Sequence, residues 1–238
     1  MRRWVTWATL STALFGVMTG AFAPAGNKNL PSNLDSAVLG AELVRDADDI
    51  YAVYGAGFPS GLDRPGNNAQ KEFAQSLSSH TLVDVGLILS YGVMYVLLAL
   101  ALRRQAGRLG WFVAALAVIA VTGDLFENWA LWRTAHGVVS NDIAWQTHFP
   151  SWIKWAALSA AWIGISELFW PARLRDGWQI TRASAALLYF SAGCIGSWAV
   201  VFQVPDKIER AMALAALATL VQLSLLLFDD GLGKRITR

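Results

Sequence analysis

The chain has 238 residues, 55% of them apolar and only 15% charged, with 12 Trp and a formal net charge of +2. That profile belongs to an integral membrane protein and excludes an ordinary soluble domain. The near-neutral balance, with no basic stripe, Gly-rich phosphate loop, HExxH or GxSxG, excludes a nucleic-acid surface and the common nucleotide and hydrolase signatures. Cys194 is the single cysteine, so neither an intrachain disulfide nor a cysteine-based metal site is available.

Residues 1–23 begin Met-Arg-Arg and continue through an apolar run from Trp4 to Ala23. Two readings stand: a signal peptide cut after Ala21-Phe22-Ala23, or a first membrane helix that stays attached. Retention is favoured by Pro24, which would sit just after the cut, and by a run of about 20 residues, enough to span. Residues 24–79 are polar and are predicted to lie outside the cytoplasm. They start with loop formers, Pro24, Gly26, Asn27, Asn29, Pro31 and Asn33. From Leu34 to Tyr54 the placing of Leu39, Leu43 and Ile50 among acidic residues predicts an amphipathic helical stretch, lying on the membrane or folded over the bundle. Gly55, Gly57, Pro59, Gly61, Pro65 and Gly66 interrupt it, and residues 69–79 read as helix running into the next span. The segment is too short and broken to hold a core of its own.

Five further spans are predicted within 80–228, near 80–102, 109–132, 151–170, 182–203 and 210–228, each about 18–24 residues long. Arg2 and Arg3, then Arg103, Arg104 and Arg108, then Arg173, Arg175 and Arg182, and finally Lys234, Arg235 and Arg238 fall on one side if there are six spans. These are more than half of the 19 basic residues. The expected architecture is an all-α, six-helix transmembrane bundle in the plasma (inner) membrane. Both termini are cytoplasmic if the first helix is retained, 229–238 is a basic tail, and loop 134–149 is outside. Trp111, Trp132, Trp152, Trp155, Trp170 and Trp178 near run ends read as an interfacial belt.

One span carries polar groups that lipid does not tolerate. Asp124, Glu127 and Asn128 lie at about 0°, 300° and 40° around a helix, on one face. They must therefore face protein or water. Asp84 lies one turn inside the second span, with His80 and Tyr91 on its face, and Lys154 one turn inside the fourth. With this topology all reach the outer half of the bundle except Tyr91, which points toward the bilayer centre. The predicted site is Asp84, Tyr91, Asp124, Glu127, Asn128, Lys154 and His80. Three carboxylates face one ammonium, so protons, a cation or hydrogen-bond donors must offset the excess charge. The same residues read alternatively as an ion-pair network that ties helices together. His80 and Asp84 make half a metal site with no second half, so neither metal nor cofactor is expected. Glu167 is expected to snorkel or to pair with Arg173 or Arg175, Gln222 to make a helix contact, and His136 and His148 to lie on the outer loop.

Asp84 with Tyr91, Asp124-x-x-Glu127-Asn128 and Pro150-x-x-x-Lys154-Trp155, preceded by an outer amphipathic segment, resembles a pattern of small bacterial multi-pass membrane proteins, over roughly residues 40 to 165. The resemblance implies the architecture and brings no activity with it. It is unlike the three-His, Ser and Asp set of ceramidase-like membrane hydrolases. Three functional classes follow. The first is a protein that binds or moves a small polar or cationic ligand, a proton or a lipid headgroup. The second is a membrane enzyme acting on a lipid or isoprenoid, with Glu127 or Asp124 as acid/base and Tyr91 as donor. The third is a structural subunit. The expected partners are the bilayer and a lipid or small-molecule ligand, with no nucleic acid. No inverted repeat supports full transport, no nucleophile–base pair supports an enzyme, and the oligomeric state is left open.

Overall fold

A chain in lipid has no water to satisfy its backbone, so its apolar runs are driven into helix. The computed structural model describes residues 1–23, 36–54, 68–171, 174 and 176–229, and among these all regular structure is helical. The order is α1 (Arg2–Phe22), α2 (Ala37–Glu42), α3 (Ala47–Tyr54), α4 (Asn68–Ala106), α5 (Arg108–Ala135), α6 (Asn141–Phe169), α7 (Gly177–Phe202) and α8 (Pro205–Phe228). The predicted loops at 24–33 and 55–66, Arg173 and Arg175, and the tail with Lys234, Arg235 and Arg238 lie outside the described residues.

Local chemistry sets the ends. Ser36 caps α2 by accepting from the Leu39 amide, and Asp176 caps α7 by accepting from Gln179. Asp46 accepts from the Asp49 amide at the start of α3, and Ser140 from the Ile143 amide at the start of α6. Each satisfies a donor that the first turn leaves open. Gly107, at φ +54°, is the single residue between α4 and α5. Only a residue without a Cβ adopts that conformation at no cost.

The segments Arg2–Phe22, Lys71–Ala106, Arg108–Ala135, Gly177–Phe202 and Pro205–Phe228 are long and apolar enough to cross a membrane. α6 has 29 residues but is not among them; Ser151, Lys154, Ser159, Ser166 and Glu167 interrupt its apolar stretch. Several helices differ from expectation. The amphipathic stretch before Tyr54 is two short helices, α2 and α3, parted at Leu43–Asp46. Residues 69–79 are helical and continuous with the span that follows, as predicted. The predicted outer loop 134–149 is mostly helix, because α6 starts at Asn141 and runs through Pro150. His148 is therefore a helical residue, while His136 stays in the turn. Proline inside a helix costs one backbone bond, here the one to the Gln146 carbonyl, but leaves the helix continuous.

The chain forms two compact units. One comprises residues 1–14, 89–121 and 155–238; the other comprises 15–88 and 122–154. In the first, α7 buries Ala185, Ala186, Ala192, Gly193, Gly196 and Ala199, and α8 buries Ala211, Ala215 and Ala218. Small residues let helix backbones approach closely in lipid. Inside it, Gln222 accepts from the Tyr189 hydroxyl at 2.8 Å and donates to Thr9 of α1 at 2.8 Å, so Gln222 makes the helix contact expected of it. Arg182 forms two hydrogen bonds with Asp229, at 2.5 and 2.7 Å. Arg2 donates to the Leu226 carbonyl at 2.8 Å, satisfying part of the open end of α8.

In the second unit, α2 and α3 lie against the helices. Ala41, Val44, Ile50, Val53 and Tyr54 share one buried cluster with Leu77 of α4, Ala130, Leu131 and Ala135 of α5, and Ile143 and Ala144 of α6. Full burial of each Val, Leu or Ile contributes roughly 1.5–3 kcal/mol, so this docking is held largely by apolar contact. The Tyr54 ring meets Phe73 edge-on at 4.9 Å.

Candidate functional site

The second unit also holds the polar cluster. Its centre is the Lys154 ammonium, which is 3% exposed. Nζ lies 2.8 Å from Glu127 Oε1, 3.1 Å from Asp124 Oδ1 and 3.1 Å from Glu42 Oε2. An ammonium has three hydrogens, and three carboxylates stand within reach of them. Asp124 and Glu127 meet it together because they are three apart on one face of α5. Lys154 can approach because α5 and α6 run close. A Cβ on Gly123 would lie 3.0 Å from the Pro150 carbonyl oxygen and 3.4 Å from Lys154 Cβ. Gly123 therefore leaves room for the contact.

Asn128, one residue beyond Glu127, faces α4. Its Nδ2 donates to Asp84 Oδ2 at 2.9 Å and approaches the Thr81 carbonyl at 3.5 Å. Asp84 is partly buried, while Asn128 and Glu127 are buried. His80 is buried, with Nδ1 3.1 Å from the Thr19 carbonyl of α1.

Ser151 completes the arrangement. Its Oγ lies 2.5 Å from Glu127 Oε2, 2.8 Å from the Thr147 carbonyl and 3.0 Å from the Glu42 carbonyl. A hydroxyl has one hydrogen and here has three oxygens around it. It bridges one of these contacts; a second is bridged if Glu127 carries a hydrogen of its own.

Glu42 comes from α2. The segment that carries it follows α6 in reverse order: Glu42 at Lys154 and Ser151, the Leu43 carbonyl 3.1 Å from His148 Nδ1, and the Ala47 amide donating to Asn141 Oδ1 at 3.0 Å. Trp152 Nε1 donates to His148 Nε2 at 3.1 Å. His148 Nδ1 must then carry the hydrogen for both contacts to form, which assigns the neutral tautomer from the network.

Of the predicted residues, the structure gathers Asp84, Asp124, Glu127, Asn128 and Lys154, with His80 on α4 one turn before Asp84. Tyr91 belongs to the other unit, where its ring lies 5.8 Å from that of Tyr95. Glu167 is exposed, and its expected partners Arg173 and Arg175 lie outside the described residues. Glu42 and Ser151 were not foreseen. Ser151 had a signal, since it stands three residues before Lys154 and shares its helix face. Glu42 had none, because its place depends on how α2 docks. Among the described residues, no three His, Cys, Asp or Glu side chains are arranged to hold a metal ion. The chain matches no family model, no curated protein and no solved structure.

Proposed function

We propose that this is a six-span membrane protein of the plasma (inner) membrane whose outer half holds a proton-binding site. In this reading Glu42, Asp84, Asp124, Glu127 and Lys154 take up and release a proton from the extracytoplasmic face. One observation carries it: three carboxylates gather around a single ammonium, and a fourth, Asp84, is joined to the same helix face through Asn128, with Glu127 1% and Asp124 7% exposed. Such an excess of negative charge out of water is costly. A proton relieves it at once, and the Ser151 hydroxyl, with more acceptors than it can serve, is where one more hydrogen has a use. The charge balance favours a proton or a small cation over an anionic headgroup. Lys154 Nζ already occupies the point where three of the carboxylates converge, which favours a proton over a bound metal.

The span count rests on parity. Arg2, at the start of α1, donates to carbonyls in the last turn of α8. If both helices cross, the start of α1 and the end of α8 lie on one side, and the number of crossings from α1 to α8 is even. α6 is then the sixth, its polar residues turned from lipid. The basic residues of the short connections set both ends in the cytoplasm.

The close pairing of Lys154 favours a second reading, in which it only fastens α6 to α5 and α2. Infrared difference spectroscopy of the purified protein separates the two. The proton site predicts a protonated-carboxyl stretching band at neutral pH that is lost or shifted in Glu127→Gln, Asp124→Asn or Asp84→Asn. A spectrum with no such band, unchanged in all three variants, rejects the proton site and leaves the fastening role.

A further inference from the structure

The α2–α3 segment brings a fourth carboxylate into a cluster that already has too many. Glu42 enters the cluster as a charged side chain, while the Glu42 and Leu43 carbonyls and the Ala47 amide meet α6 through backbone groups. From this geometry we infer that docking of α2–α3 is linked to proton uptake: the segment is a lid that closes as the cluster takes up a proton and opens as it loses one.

The sign follows from charge. With the lid away, the cluster holds Asp84, Asp124, Glu127 and Lys154. Docking adds Glu42 at 3.1 Å from the ammonium, but also beside the other acids. Glu42 acts electrostatically on His80 and Asp84 of α4, on Glu127 of α5 and on Lys154 of α6. Asp124 shares Lys154 with it, and His148 holds the adjoining Leu43 carbonyl. One ammonium offsets one of the acids, and docking leaves the remainder one charge more negative. A state of greater negative charge binds a proton more tightly, and by reciprocity the bound proton favours that state. The apolar contacts of Val44, Ile50 and Val53 supply the docking force, and Glu42 makes it responsive. The inference rests on the proton site proposed above and adds to it a moving part and a direction.

The test uses the full chain in detergent with Cys194→Ser. One cysteine is placed at Val44, which is 3% exposed in the docked lid, or at Val53, which is 1% exposed. A reference protein carries it at exposed Asp48. The rate of labelling with a water-soluble maleimide at the buried position, divided by that at Asp48, cancels the pH dependence of the thiol. That ratio is expected to fall by about threefold or more between about pH 8 and about pH 5.5; one fully linked proton sets a ceiling of about tenfold per pH unit. The fall should vanish in Glu42→Gln and persist in His148→Gln, which separates Glu42 from the neighbouring histidine. A ratio that is flat or rises on acidification, or that falls equally in Glu42→Gln, overturns the inference. Proton uptake titrated on the same samples tells the two failures apart. Uptake with a flat ratio rejects the lid linkage alone, and absence of uptake rejects the site on which it rests.

Discussion

Lys154 is the residue on which the cluster depends. Removing one member of a buried ion pair strands the others, which costs about 3–5 kcal/mol, whereas replacing the whole set with apolar groups is often neutral. Lys154→Met is therefore expected to destabilise the protein severely, and Glu127→Gln less so. The double variant should recover part of the loss, because the neutral pair no longer leaves both Asp124 and Glu127 facing the empty position. Unfolding of the single and double variants in detergent measures the coupling; strictly additive losses would mean that the 2.8 Å contact has no energetic weight. At this scale much of the site could be read in advance. The turn-by-turn spacing of Asp124, Glu127 and Asn128 put them on one face, and the intolerance of lipid for charge turned that face inward. Tyr91 lies seven residues from Asp84, on the same helical face, but helical phase says nothing about how far along the axis a site extends. The Tyr91 ring lies 5.8 Å from that of Tyr95.

At the scale of elements, apolar run length located every long helix; the helical lead-in to α4 was expected and the early start of α6 was not. α4 and α6 start earlier than their apolar runs because polar residues continue a helix when the helix has something to pack against. Leu77 and Phe73 of α4 face α3, and Ile143 and Ala144 of α6 face the same cluster. The choice between signal peptide and retained helix was open in sequence. Within each unit α1 makes polar contacts: Thr9 accepts from Gln222 in one, and the Thr19 and Phe22 carbonyls meet His80 and Ser76 in the other. Cleavage after Ala23 would leave buried Gln222 and His80 without these partners. Intact-mass measurement of the protein purified from membranes with a C-terminal tag is expected to find residues 1–23 attached; a mass lacking them would mean that α1 is a leader after all. The pairing of Arg45 with Asp49, within the lid, has a sign that matters for the pH experiment. The Arg45 guanidinium holds the Asp49 carboxyl below its ordinary value of 3.8. Its contribution is thus complete above that value and lost only as the pH falls through the lower, folded one. It stays constant across the range where the lid is expected to respond and cannot imitate that response.

For the whole molecule, orientation is the testable quantity. With six spans and cytoplasmic ends, a cysteine at Gly137, in the turn after α5, is expected to react with an impermeant reagent in intact cells. One at Gly107 should react only after permeabilisation. The reverse pattern would put the cluster on the cytoplasmic side, and equal labelling of both would remove the crossing by α5. The sequence predicts six spans; five helices among the described residues are long and apolar enough to cross, and α6, interrupted by Lys154 and its serines, is not among them.

α4 and α1 differ in a way that touches the surrounding lipid. With 39 residues, α4 is about 58 Å long, roughly twice the hydrocarbon thickness, while the 21 residues of α1 reach about 32 Å and nearly match it. A long rod with polar turns at one end tolerates thinner or thicker bilayers by sliding or tilting, and a helix of matching length has no such reserve. Hydrophobic mismatch in this protein should therefore fall on α1, and vesicles of short or long acyl chains should strain the N-terminal helix first.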